Sequence, residues 1–128
     1  MGAFANVTAS LSYANSNANI GILQKLLAVS NLSISVSGKN YVEGTMAVPT
    51  TAGGTVIPLG SLTGLGWGIF WNHDGTNYVD ILPATSGVSI VRMLPGEPAV
   101  FRFGSGITAP AALAHTAVVL MEYLIIEP

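Results

Sequence analysis

Strict alternation of apolar and polar residues is what most narrows the folds open to this chain. Between residues 5 and 13, Ala5, Val7, Ala9, Leu11 and Tyr13 alternate with Asn6, Thr8, Ser10 and Ser12; further on, Leu32, Ile34 and Val36 alternate with Ser33, Ser35 and Ser37. A period of two sends successive side chains to opposite faces of a strand, so each run reads as a strand with one apolar and one wet face. Similar runs predict strands over residues 41–48, 55–59, 65–72, 77–82, 88–94, 98–103 and 116–126. Turn-forming clusters separate them, among them Ser37-Gly38-Lys39-Asn40, Asp74-Gly75-Thr76-Asn77, Ser86-Gly87 and Pro95-Gly96-Glu97-Pro98. Residues 19–29 alone are ambiguous. Ile20, Leu23 and Leu27 fall near helical spacing, and the run equally fits an irregular strand or a loop with one turn.

Eight or nine short strands in 128 residues predict an all-β chain. The expected architecture is one antiparallel β-sandwich domain over residues 1–128, with residues 1–15 as an N-terminal arm or strand. A double-sheet jelly roll is the first choice and an immunoglobulin-like sandwich the second. The last predicted strand is apolar on both faces: Val119, Met121, Tyr123 and Ile125 on one, Val118, Leu120, Leu124 and Ile126 on the other, with Glu122 the interruption. Such a strand lies centrally in a core or against a partner chain.

Charge then limits function. Only 8% of the residues are charged, against about 25% in an average soluble domain. A net charge of -2 on so few groups offers no basic footprint for nucleic acid or for an anionic membrane. The charge-free stretch 44–73 is broken by Pro49, Pro58 and several glycines and has no continuous membrane-spanning run. The N-terminus shows no basic region followed by an apolar one, so no secretory signal is expected. Without cysteine there are neither disulfides nor thiolate metal sites. A surface so poor in charge is expected to be covered in part by neighbouring subunits, which points to a homo-oligomer.

The stretch "GWGIFWNHDGTNY", residues 66–78, concentrates the remaining chemistry. Trp67, Ile69 and Trp71 share one strand face, and Gly66, Gly68 and Phe70 the other. With His73, Asn77 and Tyr78, the two indoles could stack a sugar ring and hydrogen-bond its hydroxyls. The preferred reading is that both indoles fill the inter-sheet core while the glycine face lets another backbone approach. His73 and Asp74 are neighbours whose side chains point apart, no serine or threonine sits in a nucleophile elbow, and no catalytic residue is assigned. Asp74, Asn77 and Asp80 could offer oxygens to calcium, but Asp-Gly and Asn are ordinary turn residues, so no metal and no cofactor is expected. His115 stands alone among alanines. Arg92 and Arg102 flank the turn at 94–98, where a hairpin would bring them together; Glu43, Asp80, Glu122 or an acid from another subunit would then have to separate the like charges.

Three segments, "TNYVDI" at 76–81, "LPGEPAVFRF" at 94–103 and "ALAHTAVVLMEYLIIEP" at 112–128, together resemble small virion structural proteins of tailed bacteriophages. The resemblance implies a jelly-roll sandwich that decorates or cements the capsid surface without enzymatic activity, as a homotrimer bound to the major capsid protein. The expected working surfaces are the N-terminal arm with Phe4 and Val7, the loop 49–57 with Val56 and Ile57, and the last strand with Val119, Met121, Tyr123 and Ile125. Arg92 and Arg102 would fix register between subunits. The alternative is a receptor- or carbohydrate-binding module on a tail or head fibre, using Trp67, Trp71, His73, Asn77 and Tyr78.

Overall fold

Every regular element among the described residues is a β-strand, as the alternation requires. The computed structural model describes residues 3–17, 21–36 and 40–128. The chain divides into two compact units, Met1–Ser37 and Gly38–Pro128.

The first unit is a two-stranded antiparallel ribbon of β1 (Ala3–Asn17) and β2 (Gly21–Val36). The register explains the ambiguous segment. Val7 lies opposite Leu32, but Ala9 lies opposite Val29, so β2 carries one extra residue at this point. This β-bulge shifts the parity of β2. Leu32, Ile34 and Val36 follow even positions, whereas Leu23, Leu27 and Val29 follow odd ones, and the two sets sit opposite the same odd-numbered row of β1. Leu23 and Leu27, four positions apart, lie on one row of β2, a spacing that a strand row shares with a helix face. Residues 21–29 are strand, and residues 18–20 lie outside the described residues.

The second unit holds β3 (Tyr41–Val48), β4 (Thr55–Val56), β5 (Trp67–Asn72), β6 (Val79–Leu82), β7 (Val91–Met93), β8 (Pro98–Arg102), β9 (Ala111–Ala114) and β10 (Val119–Ile126). They form two four-stranded antiparallel sheets, β3-β10-β5-β8 and β4-β9-β6-β7. Both contribute to one apolar cluster that includes Val48, Phe70, Met121 and Ile125 from the first sheet and Val79, Ile81, Met93 and Ala112 from the second. The unit is therefore a β-sandwich. Strand β9 was not among the expected strands, because Ala111-Ala112-Leu113-Ala114 has neither alternation nor β-branched or aromatic residues. Small side chains suit that place: Ala111, Ala112 and Ala114 are fully buried beside the central strand β6.

Aromatic packing sets which way β5 faces. Phe70 stacks on Phe101 at 5.4 Å and meets Phe103 edge-on at 6.0 Å. The rings crowd over Gly68, where an added Cβ would lie 2.9 Å from Phe70 and 3.0 Å from Phe103. Gly66 is tighter still, since a Cβ there would lie 2.8 Å from the Glu127 carbonyl oxygen. The predicted close approach on the glycine face is thus present. The accompanying placement of Trp67 and Trp71 in the core is not: the inward parity belongs to Phe70, and Trp71 is 47% exposed on the opposite face.

Strand ends are tied down by polar side chains. The Asn72 side chain is fully buried, its Nδ2 lies 2.9–3.1 Å from the carbonyls of Asn77, Met93 and Leu94, and its Oδ1 accepts the Asp74 amide. Next to it, Asp74 Oδ1 accepts the amides of Thr76 and Asn77. Those amides, that of Asn77 foremost, hold the Asp74 carboxyl below its ordinary pKa. The predicted tight turn is present, and its carboxylate is occupied by backbone. At the far end Glu127 accepts from Asn40 and Thr63, which lowers its pKa and pins the end of the last strand.

Candidate functional site

The expected hairpin at 94–98 is instead a corner between sheets. Pro95 and Gly96, with φ +79° at Gly96, turn the chain, and the Glu97 amide donates to the Leu94 carbonyl. Strand β7 then belongs to one sheet and β8 to the other, so the turn does not pair Arg92 with Arg102. Arg92 lies directly across from Asp80 and makes a two-point ion pair with it, Nε–Oδ1 2.8 Å and Nη2–Oδ2 2.9 Å. His115 Nε2 is 2.9 Å from the same carboxylate, so it does not stand alone. Tyr78 completes the group, with the Arg92 guanidinium 4.1 Å from its ring centre and His115 4.8 Å away. Burial of Asp80 favours its neutral form, but the hydrogen bonds and charges of Arg92 and His115 outweigh this and lower its pKa. Around a carboxylate only 2% exposed, this arrangement is a cross-strand clamp.

The outer side of the β3-β10-β5-β8 sheet is different in kind. Its register sets Glu43, Leu124, Ile69 and Val100 in one row and Thr45, Glu122, Trp71 and Pro98 in the next. Ile69, Trp71, Val100, Leu120 and Leu124 are 36–49% exposed. His73 Nε2 is 3.0 Å from Glu122, and its ring lies 4.4 Å from that of Trp71, whose Nε1 donates to the Gly96 carbonyl. A shallow depression of about 530 Å³ runs over Glu43, Thr45, Ile69, Trp71, Glu122 and Leu124. An apolar sheet face with so few charges is a surface for contact. It offers two acids, one histidine and Thr45, directly opposite Glu122, and among the described residues no three metal-ligating side chains converge.

The expected contact residues divide accordingly. Val119, Met121, Tyr123 and Ile125 form the inward row of β10 at 0–6% exposure, so they build the core and cannot meet a partner. Tyr123 even donates its hydroxyl to the Pro58 carbonyl, 3.2 Å away. The accessible side of that strand is Leu120, Glu122 and Leu124. Ile57 is likewise fully buried, while Val56 is 44% exposed. Val7 is half-buried, and of the Phe4 position only the backbone register, opposite Ser35, is described. Arg102 is exposed at the sheet edge opposite Trp67.

Of the sugar-stacking set, the structure brings Trp71 and His73 together. Trp67 begins the same row, half-buried, with an indole Nε1 that is buried without a hydrogen-bond partner. Asn77 is spent on the Asp74 turn, and Tyr78 belongs to the Asp80 clamp. Sequence reasoning missed Glu122 as the partner of His73 and Leu120 and Leu124 as the exposed row. The Glu122 interruption in an otherwise apolar row was the available signal. No family model matches the chain, and neither a curated protein nor a solved structure is significantly similar to it.

Proposed function

We propose that the chain is a non-enzymatic virion structural protein of a tailed bacteriophage, a decoration or cement protein that binds the assembled capsid lattice as a homotrimer. The observation that carries this reading is the exposed apolar face of β3-β10-β5-β8, with Ile69, Trp71, Val100, Leu120 and Leu124 open to contact. It is supported by the low charge of the whole chain and by the resemblance of residues 66–128 to such proteins. The strand order also favours a jelly roll: β3 with β10, β4 with β9, β5 with β8 and β6 with β7 are the pairs left by rolling up one long antiparallel ribbon. Contacts made only on the assembled lattice stabilise it relative to free coat protein by mass action. The test is the stoichiometry of gradient-banded particles. A high, fixed ratio to the major coat protein is expected; absence from particles would overturn the reading.

A second reading rests on the half-exposed Trp71, stacked by His73 above the depression beside Glu122. That arrangement suits a sugar ring on a fibre or receptor-binding module. Its signature would be a few copies per particle, together with a change in tryptophan emission on titration with host surface glycans. An unmoved spectrum would remove it.

A further inference from the structure

Of the four sheet edges of the sandwich, three are blunted and one is not. Strand β4 is two residues long and β7 three. Strand β8 begins at Pro98 and ends at the exposed Arg102. Shortness, proline and positive charge are the usual guards of an open edge. Strand β3, the outer strand beside β10, has eight residues, with no proline, lysine or arginine among them. Its parity follows from the end of its ladder. The Glu127 amide donates to the Asn40 carbonyl, and bonded and non-bonded pairs alternate from there along the register. Val42, Gly44, Met46 and Val48 therefore turn their amides and carbonyls toward β10. Tyr41, Glu43, Thr45 and Ala47 turn theirs to the open edge, and all four of these residues are exposed. Among the described residues no strand pairs with that edge.

We propose that the open edge of β3 is a strand-addition site for an extended segment of a different protein, one that alternates apolar with polar residues and carries Lys or Arg opposite Glu43. Main-chain hydrogen bonds to residues 41, 43, 45 and 47 would hold the added strand, and its side chains would select it. Charge sets the cation. On the outer side, Glu43 lies beside Leu124, and Thr45 beside Glu122, so the strip along the edge carries two carboxylates and neither lysine nor arginine. Glu122 is engaged by His73, whereas Glu43 is in no ion pair. A basic side chain opposite Glu43 would meet that carboxylate with its methylene stem along Leu124. On the inner side, Val42 and Met46 are only partly buried against the core, and apolar residues of the added strand would complete their cover. A second copy is the poorer occupant. Antiparallel pairing of two β3 strands about Gly44 sets two copies of Glu43 at diagonal positions, about 7–8 Å apart, with no cation between them. Centring the pair on Thr45 instead sets Tyr41 against Pro49, which has no N–H to donate. The edge is distinct from the sheet face invoked above and does not depend on the oligomeric state of the chain.

The test is amide exchange followed by NMR on the full-length chain, free and with a nonapeptide of alternating valine and lysine as the probe. In the free chain the amides of Glu43, Thr45 and Ala47 are expected to exchange much faster than those of Gly44 and Met46. The peptide should slow the first set by roughly tenfold or more, and a nonapeptide of alternating valine and glutamate should not. Glu43→Lys should weaken peptide binding by roughly tenfold, whereas Glu97→Lys, the same charge change at the 94–98 turn, should leave it unchanged. Thr45→Pro removes an outward N–H and no bond to β10, so binding should be lost while Gly44 and Met46 stay protected. Edge amides already protected in the free chain would overturn the proposal, and protection that grows with protein concentration would identify a second copy as the occupant instead. A peptide that leaves those amides unprotected, or equal weakening by the two lysine variants, would overturn it as well. Absence of the chain from particles would sink the virion reading and leave the edge assignment standing.

Discussion

The ribbon and the sandwich are written in the same pattern of alternating residues, and they satisfy it differently. In the sandwich, the inward rows of two sheets meet: Phe70 and Met121 from one and Ile81 and Met93 from the other are all within 1% of complete burial. Side chains of that kind contribute about 1.5–3 kcal/mol each when removed from water. The ribbon has an aliphatic row of similar composition but no second sheet in its own unit. Alternation therefore specifies a face and not what covers it. In the sandwich the cover is a second sheet of the same unit; the ribbon's own unit contains no such sheet.

Four perturbations sharpen that contrast. The largest effect is expected from Phe70→Ala, which removes the ring that stacks on Phe101 and meets Phe103; a loss of about 3–5 kcal/mol should appear in the calorimetric transition of the sandwich. A near-neutral result would mean that the aromatic triad does not organise the core. Next comes Asp80→Ala, which removes the acceptor from Arg92 and His115. Because Arg92 is half-exposed and can be resolvated, the cost should be about 1–3 kcal/mol, read from chemical denaturation, and should stay in the sandwich.

Acid should act on the same unit. Asp74, Asp80 and Glu127 all have folded-state pKa values below their ordinary ones, 3.8 for the two aspartates and 4.5 for the glutamate. A depressed carboxylate contributes stability that is fully present above its unfolded pKa and is lost as pH falls through the folded value. The sandwich should therefore be insensitive to these groups near neutrality and weaken progressively below about pH 4.5. Asp80→Ala should flatten part of that slope; an identical slope would exclude Asp80 from it. The smallest effect on the sandwich is expected from Leu27→Ala in the ribbon, within ~0.5 kcal/mol at a concentration where the protein is monomeric. If that substitution moved the midpoint of the sandwich more than this, the two units would not be independent.

Much of the strand content was legible because period-two patterning is local. The run at 41–48 matches β3 residue for residue, and the Asp74-Gly75 and Pro95-Gly96 turns lie where turn chemistry requires. The misreadings came from non-local causes. Leu23 and Leu27 are four apart, a spacing that one strand row shares with a helix face, and only the pairing with β1 decides between them. Strand β9 hid in an alanine run that is strand only because β6 and β4 flank it. The indoles were expected inward because large apolar rings usually are, but three phenylalanines had already filled that side. The candidate contact face was legible only as a doubly apolar last strand.

By itself, the sequence determined that the chain is all-β, that few of its residues are charged, and that one strand near the end is apolar on both sides. Local rules suffice for this, since propensity, parity and turn residues act over a few positions. The tertiary structure decided which parity of β5 and β10 faces inward, that Arg92 finds Asp80 across a sheet rather than Arg102 across a turn, and that Leu120 and Leu124 are the row left open. Those outcomes depend on which strands become neighbours. That is settled by competition among long-range pairings for one limited core volume, and no single stretch of sequence contains it.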